Sequence, residues 1–254
     1  MDTSELLEEV VAIARSAGDL ILEVYAAAFT VSEKADGSPV TAADERAESE
    51  ILTGLAALTP DVPVVSEEAH SKGRVPHIDG RFWLVDPLDG TREFIDRTGE
   101  FTVNIALVED GEPILGVVLA PAVRRLFGGA RGIGAFAEQD GRRRSIACRR
   151  PPAEGLTVVS SRSHGDRAAL TAFLAGRRVA SSAYAGSSLK LCLIAAGEAD
   201  LYPRLGRTME WDTAAGHAVL TAAGGRVAML DGQELGYAKS NFANPHFVAM
   251  GLVP

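Results

Sequence analysis

Between residues 101 and 147, short apolar runs follow one another at turn-length spacing: FTVNIALVED, PILGVVLAP, RLFGGA, GAFAEQDG and RRSIAC. Asp-Gly pairs, glycine-containing dipeptides or, after Pro121, Ala122-Val123-Arg124 separate them. Runs this short, joined by turns too brief for a crossover helix, predict an antiparallel meander. A sheet of that size needs covering layers. Upstream, Leu6, Leu7, Val10, Ile13, Ala14, Ala17, Leu20, Ile21 and Val24 recur at helical spacing, which predicts one long helix over 4–29. KADGSPVT (34–41) is turn chemistry, and Thr41 is placed to N-cap a second helix over 42–58, with Ala47, Ile51 and Leu55 on one face.

Two further apolar runs read as strands whose C-terminal ends deliver carboxylates. Val62–Val65 leads into Ser66-Glu67-Glu68, and Phe82–Val85 leads into Asp86-Pro87-Leu88-Asp89-Gly90-Thr91. The Pro-rich, polar stretch 149–155 is the predicted boundary between an α+β domain over 1–150 and a smaller α/β domain over 151–254. In the latter, LTVVSS (156–161) alternates with helical patterns at 166–175, 187–197 and 212–223.

With 254 residues, 46% of them hydrophobic, the chain has ample material for a core and is not of the disordered class. Its formal charge of -9 argues against a nucleic-acid polymer as partner, which requires a basic face, and is compatible with bound metal cations. Cys148 and Cys192 form no CxxC motif, so a reduced, cytoplasmic setting is expected. MDTSELLEEV reads as an acidic helix start and lacks the pattern of a signal peptide. No apolar run approaches the roughly 18 residues of a membrane span.

The chemistry concentrates in three places. In DPLDGT, Pro87 is expected to end the strand and Gly90 to allow close backbone approach. Thr91 then opens a short helix whose first amides, with that of Gly90, suit a phosphate. Two carboxylates in such a turn suit a hard cation, but Asp and Gly also build ordinary surface turns. In EWDTAAG, Asp212 fits a helix N-cap, and the same helix end suits an anion beside a metal. Asp44 complements a helix dipole in its first turn. Glu67, Asp86, Asp89 and Asp212 together could form a two-cation clamp, with ions about 4 Å apart, on a phosphate.

Glu67-Glu68, DPLDGT and WDTAAG, in this order and spacing, resemble the inositol monophosphatase superfamily of Mg2+-dependent, lithium-sensitive phosphatases, over essentially the whole chain. The resemblance implies a layered αβαβα sandwich. Arg92-Glu93-Phe94, Ser161-Arg162-Ser163-His164, Gly186-Ser187-Ser188-Leu189-Lys190 and Asp200-Leu201-Tyr202-Pro203-Arg204 resemble the superfamily's 3′(2′),5′-bisphosphate nucleotidase branch. That branch implies hydrolysis of the 3′-phosphate of adenosine 3′,5′-bisphosphate to AMP and phosphate, with action on 3′-phosphoadenylyl sulfate, in sulfur assimilation.

The same resemblance implies the roles of residues. Glu67, Asp86 and the Leu88 carbonyl hold an activating Mg2+; Asp86, Asp89 and Asp212 hold a second; two or three ions are expected per site. Thr91, bonded to Asp44, and Glu67 form the catalytic set that orients the attacking water. Leu88, Asp89, Gly90, Thr91, Glu67 and Asp212 surround the reacting phosphate. His164, Ser187, Lys190 and Arg204 contact the nucleotide, with Lys190 and Arg204 neutralising its 5′-phosphate. Read without the family, His164 is an exposed loop histidine and Lys190 a solvated helix position.

Arg207 and His217 depart from the usual pattern. Either they add cationic character near the second metal or they face solvent. Two alternative readings remain: a broad inositol or sugar phosphatase, and a non-catalytic Mg2+/nucleotide-binding protein. The intact water-positioning set argues against the latter. Relatives contact the inner membrane peripherally, yet no basic amphipathic helix supports that here. Monomer and homodimer both stay open, because the apolar face of the meander can pack internally or on a partner.

Three other signals are set aside. Asp-Gly-Thr also occurs in haloacid-dehalogenase phosphatases, but those separate their two aspartates by one residue rather than two. Gly132-Ile133-Gly134 leads into a strand-like run, so it reads as hairpin glycines rather than a dinucleotide fingerprint. Arg142–Arg144 reads as a solvated strand-edge guard.

Overall fold

The meander is present as expected, and its covering layers come from both ends of the chain. The computed structural model describes residues 1–34, 37–161 and 167–252. Its helices are α1 (Thr3–Ala26), α2 (Ala42–Leu58), α3 (Glu67–Ser71), α4 (Thr91–Ile95), α5 (Arg167–Leu174), α6 (Leu189–Ala195) and α7 (Ala214–Ala222). The strands of the first half are β1 (Val31–Glu33), β2 (Pro39–Thr41), β3 (Val64–Ser66), β4 (Arg81–Asp89), β5 (Thr102–Glu109), β6 (Glu112–Ala120), β7 (Arg125–Ala130), β8 (Gly134–Gln139) and β9 (Arg142–Ile146). Those of the second half are β10 (Leu156–Ser160), β11 (Val179–Tyr184), β12 (Leu201–Arg204), β13 (Arg226–Met229) and β14 (Phe247–Met250).

β3 to β9 form one sheet in sequence order, with β3 parallel to β4 and every other pair antiparallel. Both faces of its central strands are apolar, so each strand reads as an unbroken hydrophobic run. Trp83, Val85, Val103, Ile105 and Leu107 face α1 and α2. Their alternates Phe82, Leu84, Ala106 and Val108 face α6 and α7. The apolar meander therefore packs against the chain's own helices on both sides. Gly132 and Gly134 take left-handed φ values of 79° and 95° at the β7–β8 hairpin, and Arg142–Arg144 lie exposed on the edge strand β9.

α1 starts at a capping box in which Asp2 accepts from the Ser4 and Glu5 amides and Glu5 returns the bond. It stops at Ala26, a turn short of the predicted end, before β1 begins. α2 starts at Thr41 as expected, with Asp44 completing the capping box. The second sheet runs β11-β10-β12-β14-β13, and α5 lies on its outer side with Phe173 and Leu174 against Val158, Leu201 and Val248. The layers are thus α1/α2, first sheet, α6/α7, second sheet and α5, the αβαβα order that the resemblance implied. Residues 147–155 carry the chain from one sheet to the other, and one buried cluster joins Phe82 and Leu84 to Trp211, Val219 and Phe247.

Glycine decides how closely α7 sits. A Cβ on Gly116 of β6 would lie 2.3 Å from the Ala215 carbonyl oxygen, and one on Gly129 of β7 would lie 3.0 Å from the Val219 Cα. Only a bare backbone lets the helix lie this low on the sheet, and its first turn follows directly on Asp212.

Candidate metal and phosphate site

β4 does not end at Pro87. It continues to Asp89 through a bulge: Asp86 pairs with Asn104 and Asp89 with Thr102, so three steps on β4 oppose two on β5. In a regular strand Asp86 and Asp89 would point to opposite faces. The extra residue corrects the parity, because Asn104 and Thr102 share a face and their partners do too. Pro87 has no N–H to give the ladder, so a bulge accommodates it. The Leu88 amide instead donates to Asp86 Oδ1 at 3.0 Å.

Glu67 begins α3 directly after β3, whose parallel pairing with β4 brings the two strand ends side by side. The start of α3 is held by Glu48, which accepts from Ser66 Oγ and from the Ala69 amide. Asp212 arrives from the other half of the chain. It is not an N-cap: α7 begins at Ala214 with Thr213 in the cap position, and no side chain caps it. Asp212 instead turns inward and accepts from the Met209 amide at 2.8 Å. Carboxylate oxygens of Glu67, Asp86 and Asp212 then all lie within 4.8 Å of one another.

Burial and crowding raise the affinity of Asp86 and Asp212 for protons. Burial pushes the Asp86 carboxyl well up, and Glu67, Asp89 and Asp212 push it further. Burial, with Asp89 and Glu67, does the same to Asp212. Asp89 rises to about 6 through burial, opposed by the Lys190 charge and by a bond from the Ser188 amide. Lys34, from the turn before β2, answers part of this charge. Its Nζ lies 2.7 Å from Glu67 and 2.5 Å from Glu68. Burial works against the Lys34 ammonium, but the two carboxylates hold it above its ordinary value. Burial also lifts Glu68 to about 7, against the pull of Lys34. A cluster of hard oxygen donors with more negative charge than one ammonium neutralises fits a divalent cation of the Mg2+ type.

Beside the carboxylates, Gly90 sits at φ 90° and caps α4, and a Cβ there would meet Ser187 Oγ at 2.8 Å. Thr91 Oγ1 reaches both Asp44 Oδ1 and the Leu88 carbonyl at 3.3 Å. Ser187, Lys190 and Arg204 line the same cavity of about 350 Å3 as Glu67, Asp89 and Asp212. Ser187 Oγ bonds the Asp89 and Glu100 carbonyls, and Ser188 Oγ donates to Asn104, so this loop is tied to the strand ends opposite.

Lys190 is buried, not solvated. Its Nζ donates to the Ala185 and Ser187 carbonyls, and burial lowers it to about 8 despite the nearby Asp89 charge. Arg204 donates to the Arg207 carbonyl at 2.9 Å. His164 lies outside the described residues. His217 is neither a cation nor a surface group: it is buried, bonds Tyr237 OH at 3.0 Å through Nδ1, and burial pushes it down to about 3. The Arg207 side chain is exposed, with its guanidinium 3.8 Å from Met209 Sδ.

The model of the inositol monophosphatase family matches residues 2–251. The chain belongs to the inositol monophosphatase family. The 3′(2′),5′-bisphosphate nucleotidase CysQ of Escherichia coli K12 is 51% identical over 247 residues, covering 95% of this chain and 98% of that protein. The CysQ of Buchnera aphidicola is 41% identical over 98% of this chain and 94% of that protein. Among solved structures, CysQ from Bacteroides thetaiotaomicron superposes with a TM-score of 0.83 at 35% identity, covering 98% of both chains. An inositol monophosphatase from Anabaena gives 0.77 at 26% identity, over 98% of this chain and 92% of that one.

The candidate site contains further residues that no motif marks. Lys34 belongs to turn chemistry in the sequence, and only the fold sets its ammonium against Glu67 and Glu68. Ser188, Asn104 and Thr102 form a buried hydroxyl–amide cluster behind Asp89, with Thr102 Oγ1 3.0 Å from Ser188 Oγ. No local pattern marks it, since its members belong to β5 and the start of α6.

Proposed function

We propose that this chain is a Mg2+-dependent 3′(2′),5′-bisphosphate nucleotidase. It hydrolyses the 3′-phosphate of adenosine 3′,5′-bisphosphate to AMP and phosphate, and also accepts 3′-phosphoadenylyl sulfate. The observation that carries this reading is a cavity lined by charges of both signs. Glu67, Asp89 and Asp212 line it together with Lys190 and Arg204. A monophosphate needs only the acidic groups with their cations. A second anionic group on the same substrate gives Lys190 and Arg204 a purpose.

Two or three Mg2+ ions suit the donor set: Glu67, Asp86 and the Leu88 carbonyl for one, and Asp86, Asp89 and Asp212 for another. When bound, Mg2+ supplies charge neutralisation at the phosphate and makes the attacking water more acidic. The remaining work falls to the chain. Glu67 and Thr91, the latter held by Asp44, orient the water in line with the phosphorus. The Gly90 and Thr91 amides receive the phosphate oxygens. Ser187, Lys190 and Arg204 hold the nucleotide's far end, and His164 is assigned there by resemblance.

No helix among the described residues is long and apolar enough to cross a membrane. Both free cysteines are buried, which agrees with a cytoplasmic enzyme. The test is phosphate release from adenosine 3′,5′-bisphosphate, 3′-phosphoadenylyl sulfate and inositol 1-phosphate, with Mg2+ and with or without Li+. The bisphosphate is expected to give the highest kcat/KM, with inhibition by Li+. A higher value on inositol 1-phosphate selects the sugar-phosphatase reading, and tight nucleotide binding without phosphate release selects the non-catalytic one.

A further inference from the structure

Asp212 sits in a turn, residues 208–213, that belongs to no helix or strand. A second segment, the 236–246 connection between β13 and β14, grips this turn at several points. The Glu210 amide donates to the Phe242 carbonyl at 2.8 Å, and the Asn244 amide donates to the Thr208 carbonyl at 2.9 Å. Glu210 is fully buried and accepts from the Ala238 and Lys239 amides, each at 2.9 Å. Ala238 and Phe242 take left-handed φ values of 68° and 52°, which non-glycine residues adopt only when their surroundings impose it.

Asn244 occupies the centre of this grip. Its Nδ2 donates to the Met209 carbonyl at 2.8 Å and to Thr213 Oγ1 at 3.0 Å, so it holds residues on both sides of Asp212. Met209 is also the residue whose amide bonds the Asp212 carboxylate. One peptide chain of contacts therefore runs from the Asn244 amide through Met209 to Asp212. The side chain is buried, and its Nδ2 also reaches Thr208 Oγ1 at 3.4 Å, so an apolar residue in its place would remove every one of these bonds. We infer that Asn244 is a positioning residue: it fixes Asp212 relative to Glu67 and Asp86 and so sets the cation affinity of the cluster.

The inference rests on reading that cluster as a Mg2+ site. Partners that orient metal ligands typically carry about a 10- to 100-fold effect on affinity. The test is calorimetric titration of the metal-free protein with MgCl2, without substrate, for wild type, Asn244→Leu and Asn244→Ala. Leu keeps the volume without adding charge, and Ala serves if Leu fails to fold. Lys239→Met is the control: it loosens the far side of the same loop, where Lys239 Nζ meets Glu210 at 2.7 Å, and leaves the Asn244 bonds in place.

Both Asn244 variants are expected to bind Mg2+ at least about tenfold more weakly, with the metal-free circular dichroism spectrum unchanged. Lys239→Met is expected to melt at a lower temperature with Mg2+ affinity near wild type. A loss under threefold in the Asn244 variants, or an equal loss in Lys239→Met, overturns the inference. Absence of Mg2+ binding by wild type overturns the cation reading itself, and the inference with it.

Discussion

Thr91 Oγ1 lies 3.3 Å from Asp44 Oδ1, a contact between two different helices 47 residues apart. The other oxygen of Asp44 already accepts from the amide and hydroxyl of Thr41, each at 2.8 Å. Asp44 is thus immobilised by a helix cap and has one oxygen to spend on Thr91. Thr91→Val keeps the shape and removes the hydroxyl. Its kcat is expected to fall about 10^2- to 10^4-fold, the usual range for a lost proton-handling group. Mg2+ affinity and melting temperature should stay near wild type. Steady-state kinetics beside calorimetry check this, and undiminished kcat would exclude Thr91 from water positioning.

Asp89→Asn removes one negative charge from the cluster without changing its shape. Metal-dependent turnover is expected to vanish. The metal-free protein should melt at the same or a higher temperature, because burial, more than repulsion from Glu67, disfavours the Asp89 charge despite the attraction of Lys190. Substantial turnover in the variant would contradict the assigned role.

The metal-free protein should lose stability as pH rises. Burial and mutual repulsion raise the folded-state pKa values of Asp86, Asp89 and Asp212 above the unfolded values, to about 6 for Asp89. The folded state then binds more protons, so this contribution is full below the unfolded pKa, near 4, and is lost through about pH 6. Melting in EDTA is expected to show that decline. Saturating Mg2+ should flatten it, since the cation replaces the protons. A stabilisation by Mg2+ equal at pH 5 and pH 7.5 would refute the linkage.

His217 has the opposite sign. Its folded value of about 3, set by burial, lies below the unfolded 6.5. Below pH 6.5 the unfolded state takes up a proton that the folded state refuses, so acid erodes this stability. Between pH 7 and pH 5 the loss is on the order of 2 kcal/mol. The stability difference between wild type and His217→Gln should shrink by about that amount over the same interval, as urea unfolding would show.

Gly116→Ala forces a methyl group to within 2.3 Å of the Ala215 carbonyl, a backbone atom that cannot rotate away. Overpacking of this kind costs about 1–3 kcal/mol. Because α7 must lift from the sheet, Mg2+ affinity should fall together with the melting temperature. Normal Mg2+ binding in a destabilised variant would show that the helix moves without Asp212.

Local chemistry was legible in the residues themselves. Helical spacing placed α1 and α2, short turns placed β5 to β9, and Thr41 marked the start of α2. Motif resemblance singled out Glu67, Asp86, Asp89, Thr91 and Asp212. Most strands of the second sheet were not legible. β12, β13 and β14 are each four residues long, and Pro203 interrupts β12, so no alternating pattern has room to emerge.

Tertiary structure alone decided the rest. Periodicity reports which face of an element is apolar; it does not report which faces meet. The bulge that turns Asp86 and Asp89 to one side depends on pairing with β5. Asp212 is drawn from a helix cap into the cluster by the Met209 amide, while the 236–246 connection holds its turn. Lys34, Lys190 and His217 have ordinary identities in the sequence, and only burial beside specific partners made the first a counter-ion, the second a buried cation and the third a neutral base. The sequence determined the chemical groups and their local elements, and long-range packing determined their distances, on which both charge and catalysis depend.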